Sequence, residues 1–439
     1  MSTVRQAYRF ALDPTGPQMG ALASHAGAAR FAHNWALARV KADMNAKASD
    51  HEHASVGWSA YSLRKAFNAE KADVAPWWAD NSKEAYNTGF ANVASALSNW
   101  QASKAGTRRG RRVGFPRFHK RGMARDTVCF TTGTIRLGVD RRSVVLPRLG
   151  RIATCESTRK LARRVEAGTA SITSVTVTRT AQRWYVSFAV EVDRTADTTR
   201  WAANQSQVPV GVDLGIKSFA VVSDGQVFVS PRPLEGAQRR LRRLNKELAR
   251  RRPGSANRAR TRARIARCHA RIANIRNDFL HQTTTRHAKT KQTIVIEDLN
   301  VAGMTRNHHL ARHIADQGWG EFRRRLTYKA AWYGSQVVVA DRWFASSRTC
   351  SGCGCVDDEL TLTDRVYRCR CACGCGLVLD RDVNASRNLA VRGASPDVAP
   401  SAGETQNACG ENSAGLDLGP GGTGLDEAGT NQSATEPST

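Results

Sequence analysis

An apolar stretch at residues 209–230, PVGVDLGIKSFAVVSDGQVFVS, carries a carboxylate inside a strand-like run, and this feature constrains the fold most. Apolar residues flank Asp213 on both sides, and two further apolar segments follow, separated by an Asp224-Gly225 turn. The pattern predicts a meander of three strands with the acid on the first. A carboxylate left desolvated and alone costs several kcal/mol of stability, so Asp213 needs a partner such as a cation.

Two more carboxylates occupy comparable positions. Glu297 ends an apolar strand in KQTIVIEDLN, and Asp382 lies in LDRDVNAS, in the first turn of a predicted helix. A lone acid near a strand end is commonly structural, but three converging acids repel one another unless a divalent cation holds them. Magnesium prefers oxygen ligands, and two such ions activate a water and stabilise the leaving oxygen in phosphodiester hydrolysis. The sequence therefore predicts a two-ion Mg²⁺ site at Asp213, Glu297 and Asp382.

The chain is strongly basic, with 66 Lys and Arg residues against 38 Asp and Glu residues and a formal net charge of +28. The segment 236–276 contains fifteen Lys and Arg residues and one acid. Such a segment repels itself without a polyanion, so nucleic acid is the predicted partner. The loop 104–122 interleaves basic residues with phenylalanines, which suits a nucleic-acid backbone and its bases, although a solvated linker is the alternative. The predicted contact residues are Arg117, Lys120, Arg121, Arg250, Arg251 and Arg252.

Seven of the 11 cysteines lie between Cys350 and Cys375. In a reducing compartment this clustering predicts metal binding rather than disulfides. Cys350 and Cys353 have the two-residue spacing that lets both thiolates reach one tetrahedral zinc ion. The second half of the site is ambiguous, because no pair among its four cysteines has that spacing, and a reduced loop without metal is the alternative. These four are Cys369, Cys371, Cys373 and Cys375.

The rest of the chain divides by its periodicity. Residues 4–12 alternate and predict a strand, and residues 18–103 show helical spacing. Residues 127–193 contain short strands separated by turns, which predicts a small barrel or sandwich, and a linker follows at 194–208. The segment 234–290 predicts a helical hairpin with its turn at the sequence RRPG.

The tail, residues 393–439, has seven acids, no Lys or Arg, and abundant Gly, Ser, Thr and Asn. This composition is too poor in apolar residues to offset the entropy of ordering, so the tail is predicted to be disordered. No run approaches the roughly 18 apolar residues of a membrane span, and the N-terminus lacks the apolar core of a signal peptide. A cytoplasmic protein associated with the nucleoid, and not with a membrane, is expected.

The chain resembles the TnpB family of insertion-sequence-encoded proteins through four motifs in order: GVDLGIKSFAVVSDG, IVIEDLNVAGM, SSRTCSGCG and GLVLDRDVNASRNLA. The upstream GFPRFHKRG is similar to that family as well. The resemblance implies a multidomain α/β protein with a split, wedge-like β-barrel, a helical recognition lobe, and a ribonuclease H-like (RuvC) nuclease with an inserted zinc ribbon. It also implies an RNA-guided DNA endonuclease related to the small type V CRISPR effectors.

Carried over residue by residue, the RuvC acids are Asp213, Glu297 and Asp382. In the DRD sequence the resemblance favours the second aspartate, and Asp380 is then expected to cap the helix. Arg348, beside the first cysteine pair, is a candidate for contact with the scissile phosphate; a phosphate or structural contact elsewhere is the alternative.

The resemblance also selects zinc ligands. It places Cys369 and Cys375 in the second half of the site, with Cys350 and Cys353 in the first. This sequence departs from the family because three extra residues lie between the later two cysteines. Pairing of Cys371 with Cys375 remains an open alternative.

The implied domain division follows the chain. It comprises a first barrel strand (1–15), the helical lobe and basic loop (16–122), the rest of the barrel (123–205), the nuclease with its arginine-rich hairpin (206–344), the zinc ribbon (345–376), the last nuclease segment (377–392) and the tail (393–439).

The resemblance implies a guide RNA that pairs with a target DNA strand, while the protein binds double-stranded and single-stranded DNA and reads a short flanking motif. A monomer is favoured. Three other functions compete. An RNA-guided repressor without cleavage would lack one of the three acids, and all three are present. A DNA-joining transposase needs a nucleophilic Tyr or Ser constellation, which the sequence does not show. A chromosomal type V CRISPR effector differs only in its genetic surroundings.

Overall fold

The computed structural model describes residues 3–50, 57–361 and 363–394. Seven antiparallel strands form the first sheet, in the order β2-β6-β7-β1-β5-β4-β3. Their bounds are β1 Thr3–Asp13, β2 Thr127–Phe130, β3 Arg136–Leu137, β4 Ser143–Leu146, β5 Gly150–Thr154, β6 Ala170–Thr180 and β7 Arg183–Asp193. The long hairpin β6–β7 turns at Ala181 and Gln182, which both have positive φ, as a two-residue type I′ turn requires.

The predicted barrel is not closed. Within the described residues, β2 and β3 are the two edges of the sheet and do not pair with each other. Closure needs a continuous ring of hydrogen-bonded strands, and β3 is only two residues long. The sheet is instead open and packs with helices in one core, which includes Phe90, Phe130 and Phe188.

Five helices of the described ranges lie next to the strands of this sheet in sequence. The helical segment predicted at 18–103 is confirmed as three helices, with a short 3₁₀ turn at Trp78–Asp80 between the second and third. The five helices are α1 Gly16–Ser49, α2 Ala60–Val74, α3 Lys83–Lys104, α4 Arg159–Glu166 and α5 Thr195–Ala202.

The predicted linker 194–208 contains α5, which is a correction. Its sequence, TADTTRWA, has no apolar stripe, and tertiary contacts hold it in place. Asp197 pairs with Arg164, and the Thr198 hydroxyl donates to the carbonyl oxygen of Trp332 at 3.3 Å. The segment therefore connects the two sheets as a packed helix.

The second sheet has five strands in the order β10-β9-β8-β11-β12. The antiparallel meander β8–β10 is confirmed, and β11 and β12 run parallel to β8. The bounds are β8 Val210–Asp213, β9 Ala220–Val222, β10 Val227–Phe228, β11 Thr293–Glu297 and β12 Gln336–Ala340. A separate pair, β13 Val366–Arg368 and β14 Val378–Asp380, belongs to the cysteine-rich segment.

Helices cover both faces of the second sheet. The arginine-rich hairpin is confirmed as α6 and α7, and α10 packs against α7. On the opposite face α11 packs on β8 and β11. The bounds are α6 Pro233–Arg250, α7 Ala256–Thr290, α8 Val301–Met304, α9 Ala311–Gln317, α10 Trp319–Tyr333 and α11 Arg381–Ala394. In the described ranges no helix has the length and apolarity needed to cross a bilayer.

The predicted tail begins two residues too early. Gly393 and Ala394 belong to α11, and a Cβ atom at Gly393 would lie 2.3 Å from Cγ2 of Val295. The absence of a side chain there lets the helix end approach β11 closely. Residues 395–439, where disorder is predicted, lie outside the described residues.

Candidate active site and cysteine cluster

Asp213 and Glu297 lie side by side at the ends of two parallel strands. β8 and β11 pair with Val212 opposite Ile296, so the next residue on each strand is an acid. Side chains alternate between the faces of a sheet, and paired residues share a face. The two carboxylates therefore project from the same face, opposite to buried Val212 and Ile296.

Helix α11 lies across this face and carries the third acid. A Cβ atom at Gly211 would lie 1.9 Å from the carbonyl oxygen of Ser386, so the helix backbone presses directly on β8. Gly211 and Asp213 are two residues apart and share a face. Asp382, in the first turn of α11, is thereby brought close enough for its charge to act on Asp213.

Asp380 has a different role, as the sequence predicted. Its Oδ1 accepts hydrogen bonds from the backbone N–H groups of Asp382, at 2.9 Å, and Val383, at 3.2 Å. This is helix capping, and the prediction is confirmed. The side chain is exposed, and its charge acts on Asp213 less strongly than that of Asp382 does.

In the absence of a cation, the surroundings of all three candidate acids raise their pKa values. Burial raises the pKa of Asp213 well above its ordinary value of 3.8, and the charges of Glu297 and Asp382 raise it further. Burial also raises the pKa of Glu297, although a hydrogen bond from Ser346 lowers it. For Asp382, burial and then the charge of Asp380 raise the pKa. A divalent cation would favour the ionised forms of all three.

The oxygen atoms of the three carboxylates are ligands of the kind that magnesium prefers. Within the described part of the chain, the Asp213 carboxylate makes no hydrogen bond or ion pair, and its nearest charged neighbours include two further carboxylates. An all-oxygen set is what Mg²⁺ prefers. The oxygen atoms of the three carboxylates do not all lie within 4.8 Å of one another, since only cysteines form such sets in the described ranges. The acids are therefore more widely spaced than the ligands of one preformed ion site.

Three residues that the sequence analysis did not identify make hydrogen bonds to Glu297 or to the loop beside it. The Ser346 hydroxyl donates to Oε1 of Glu297 at 2.8 Å. Asn388 donates to the carbonyl oxygen of Ser346 at 2.8 Å, and Asn384 donates to that of Thr349 at 2.7 Å. The two asparagines are four residues apart on α11 and so share one helix face, which was the available signal.

Arg348 makes structural contacts within the cysteine-rich segment. Its Nε donates to the carbonyl oxygen of Asp357 at 3.0 Å, and its Nη2 lies 3.0 Å from a carboxylate oxygen of Asp358. The guanidinium therefore contacts its own cysteine-rich segment, which is the structural alternative to a phosphate contact.

Four cysteines form a compact set. The Sγ atoms of Cys350, Cys353, Cys369 and Cys375 all lie within 4.8 Å of one another. Cys350 lies 3.8 Å from Cys375, and Cys353 lies 3.6 Å from Cys369. A tetrahedral zinc ion with Zn–S bonds near 2.3 Å has sulfur–sulfur edges of about 3.8 Å, so this set fits zinc. A backbone hydrogen bond at Cys355 lowers the pKa of the Cys353 thiol to about 7.

The remaining cysteines of the segment are close by. Cys371 and Cys373 form a disulfide, which differs from the expectation of metal binding alone. The Sγ atom of Cys355 lies 2.9 Å from that of Cys371. Cys371 and Cys375 do not share a four-cysteine set in the described residues, so the structure does not bring together that alternative pair.

The arginine-rich hairpin exposes most of its charge. Arg250, Arg251 and Arg252 at its tip are exposed, while a small apolar seam joins α6 to α7. The one acid of the segment, Glu247, lies 3.0 Å from Arg264 and 3.4 Å from Arg251. One carboxylate compensates little of the charge, which leaves a strongly positive surface.

The basic loop is anchored to α1 through its backbone. Asn34 donates to the carbonyl oxygen of His119 at 3.0 Å and accepts from its N–H at 2.7 Å. The rings of His33 and His119 stack with centroids 3.6 Å apart. Because the loop is held through its backbone, its basic side chains remain exposed to solvent. The predicted contact residues that are exposed here are Arg117, Lys120 and Arg121.

Three family models match the chain. The OrfB_IS605 model, described as "Probable transposase", matches residues 187–308, and a helix-turn-helix model of the same name matches residues 1–46. The TNB domain of Cas12f1-like proteins matches residues 319–389. From Thr3 onward, the region matched by the helix-turn-helix model is a strand followed by one long helix, α1.

Curated relatives match over most of their length. A protein of Mycobacterium tuberculosis, whose name includes the words RNA-guided DNA endonuclease, is 40% identical over 403 residues, covering 88% of this chain and 86% of the relative. InsQ of Escherichia coli, with the same words in its name, is 32% identical over 88% of this chain and 92% of its own. A solved Cas12f1–sgRNA–target DNA complex aligns with 90% of this chain at a TM-score of 0.48 and 11% identity, too weak a similarity to support an argument.

Proposed function

The chain belongs to the TnpB (OrfB) family of transposon-associated proteins, and from this membership we propose that it is an RNA-guided, Mg²⁺-dependent DNA endonuclease. The observation that carries the proposal is the partly buried carboxylate of Asp213, which lies beside two other acids and makes no hydrogen bond or ion pair in the described residues. A lone structural acid would be paired with a donor or a cation from the protein.

The five-stranded sheet supports assignment to the ribonuclease H-like fold. Its antiparallel meander leads into two parallel strands, and the first and fourth strands in chain order carry acids at their ends. The open seven-stranded sheet is the proposed wedge domain, the helices α1–α3 the recognition lobe, and the cysteine-rich segment the zinc ribbon. The domain division given by the resemblance is retained, with the last nuclease helix extended to residue 394.

The chain's own residues hold and orient the reacting groups. Asp213, Glu297 and Asp382 would hold the metal, and Ser346 fixes the Glu297 carboxylate through its hydrogen bond. Bound Mg²⁺ supplies an activated water and neutralises charge at the leaving oxygen. The raised pKa values of Asp213 and Glu297 mean that protons compete with the metal for both carboxylates. Cys350, Cys353, Cys369 and Cys375 would hold zinc.

The exposed basic surfaces would bind the nucleic acids. The loop 104–122 and the tip of the α6–α7 hairpin present arginines and lysines whose charge is not matched by nearby acids. A guide RNA would supply target recognition by base pairing, and the protein would hold the backbone of the RNA–DNA duplex and a flanking DNA motif. A monomer working at the nucleoid is the simplest form of this assembly.

The direct test compares the DNA cleavage of four variants of the full chain, each in complex with the RNA that co-purifies with the protein. That RNA is sequenced, and a plasmid carrying the matching target next to a randomised flank is the substrate. Asp213→Ala, Glu297→Ala and Asp382→Ala are expected to abolish cleavage while RNA binding and guided DNA binding persist. Asp380→Ala is the matched control, expected to cut DNA and to lose only a helix cap, about 1 kcal/mol. Cleavage by Asp213→Ala refutes the site.

A guided repressor without cleavage is the competing function. Wild-type protein that binds the matched plasmid in magnesium and never cuts it would favour the repressor. The presence of all three acids on one face of the sheet argues for the nuclease.

The RNA surface has its own test. Arg250→Gln, Arg251→Gln and Arg252→Gln combined are expected to weaken binding of the co-purified RNA and to flatten its dependence on salt. Every phosphate that the variant no longer neutralises reduces the slope of log K against log salt by about 0.7 to 0.9. The triple Arg→Lys variant keeps the charge and is expected to keep the slope. An unchanged slope in the Gln variant excludes phosphate binding at the tip.

A further inference from the structure

Cys371 and Cys373 belong to a second set of four cysteines. The Sγ atoms of Cys353, Cys369, Cys371 and Cys373 lie within 4.8 Å of one another. This set shares Cys353 and Cys369 with the set assigned to zinc above. Two tetrahedral sites that share two thiolates describe a binuclear cluster, in which each ion has two bridging and two terminal ligands.

Two sulfur–sulfur distances agree with this arrangement, while Cys371 and Cys373 are bonded to each other. The Sγ atom of Cys353 lies 3.6 Å from that of Cys369 and 3.7 Å from that of Cys371. Both values are close to the edge of about 3.8 Å expected for a zinc–thiolate tetrahedron. Cys371 stands at this distance from Cys353 although it is not part of the first set. A single ion held by the first set leaves this contact without a role, and a second ion would use it once the Cys371–Cys373 disulfide is reduced.

We propose that the reduced ribbon binds two zinc ions, with Cys353 and Cys369 as the bridging thiolates. This goes beyond the proposed function and does not depend on nuclease activity. One zinc ion with four thiolates carries two negative charges, and two zinc ions with six thiolates carry the same. The second ion therefore accommodates two more thiolates without adding net charge. The terminal ligands are Cys350 and Cys375 on one ion and Cys371 and Cys373 on the other.

The second ion requires Cys371 and Cys373 as thiolates, whereas the structure joins them in a disulfide. A dithiol reductant such as dithiothreitol supplies two electrons and two protons, giving two thiols and the cyclic disulfide of the reductant. Each thiol then releases its proton as it binds zinc. A disulfide between residues only two positions apart closes a very short loop, so its loss costs the fold little.

The test counts zinc in the full chain, purified with its RNA, reduced with dithiothreitol and dialysed against zinc. Two zinc ions per chain are expected for the wild type and one for the Cys371→Ser/Cys373→Ser double variant. Cys355→Ser is the matched control, because its Sγ lies 2.9 Å from that of Cys371 but belongs to neither set. It is expected to keep both ions. With ¹¹³Cd in place of zinc, the wild type is expected to give two coupled resonances and the double variant one.

Each outcome decides the matter. One ion in the reduced wild type, or two in the double variant, overturns the second site. Loss of an ion in Cys355→Ser overturns the assignment of ligands. Complete absence of zinc would instead refute the first site and with it the proposed zinc ribbon, so the two failures are distinguishable.

Discussion

The carboxylate site and the cysteine cluster are both groups of like-charged ligands, but they rest on very different amounts of structure. Asp213 and Glu297 end strands whose preceding residues lie in a large buried core. In the described part of residues 345–376, the buried apolar side chains are Cys350 and Tyr367. The acid site is built on a sheet with its own apolar core, whereas the cysteine-rich segment buries few apolar side chains and, on the zinc proposal, depends on its metal for stability.

This difference reverses the effect of removing a ligand. At the acid site, folding of the sheet forces like charges together, so loss of one charge relieves repulsion. If the ribbon binds zinc as proposed, metal binding supplies the free energy of its folding, so loss of one ligand destabilises it. The sign of the stability change therefore reports which kind of site is being altered.

Cys350→Ser is expected to have the largest effect. The ribbon is predicted to lose zinc and its ordered structure, because a structural zinc site contributes on the order of 10 kcal/mol in small domains. Cleavage is expected to fall with it, since the segment at Ser346 contacts Glu297. Zinc content and limited proteolysis between residues 345 and 376 measure the change. Cys155→Ser, at an exposed cysteine in the first half of the chain, is the control. Retained zinc and an unchanged digest would contradict the comparison.

Gly211→Ala tests the rigidity on the acid side. The new methyl group would lie 1.9 Å from the carbonyl oxygen of Ser386, so α11 must move away from β8. A destabilisation of about 1–3 kcal/mol or more is expected, with loss of cleavage as Asp382 shifts. Gly236→Ala in α6 is the matched control, since nothing lies within 4 Å of its Cβ position, and it is expected to stabilise by about 0.5–1 kcal/mol. Equal melting temperatures for both variants would show that α11 is not tightly seated.

Asp213→Asn gives the smallest and most diagnostic effect. Because the pKa of Asp213 is raised in the folded protein, the stability that its protonated form contributes is present below its ordinary pKa of 3.8 and is lost as pH rises through the folded pKa. Without magnesium, the variant is therefore expected to match the wild type near pH 4 and to melt a few degrees higher at pH 8. Magnesium is expected to shrink that gap by binding the wild type.

Asp380→Asn is the control for this experiment, because asparagine also caps helices well. It is expected to show little change with pH. A gap between Asp213→Asn and the wild type that does not vary with pH would mean that the aspartate is already partnered within the protein.

Much of the second sheet could be predicted because its signals are local. The meander follows from short apolar runs and one Asp-Gly turn, and the strand ending at Glu297 follows from three consecutive apolar residues. The hairpin α6–α7 follows from helical spacing on both sides of a Pro-Gly turn. The acids at Asp213, Glu297 and Asp382 were identified as a group by motif order, and the register explains why two of them meet.

The features that the sequence did not predict depend on contacts between residues far apart in the chain. Whether β2 meets β3 is decided by pairing across the whole first sheet, which alternation along a strand does not reveal. Helix α5 depends on partners at Arg164 and Trp332. Ser346 contacts Glu297 from 49 positions away in sequence. No periodicity within a short window carries such information.

The two asparagines of α11 have a consequence for engineering. Asn384 and Asn388 both hold the carbonyl oxygen of Thr349, where the chain enters the ribbon, and Asp380 starts the same helix where the chain leaves it. Both ends of the ribbon are thus fixed to one point of the scaffold. The segment between Thr349 and Asp380 is therefore expected to be replaceable. A ribbon of another length from a related protein, inserted between these two residues, is expected to leave the sheet and its acids in place.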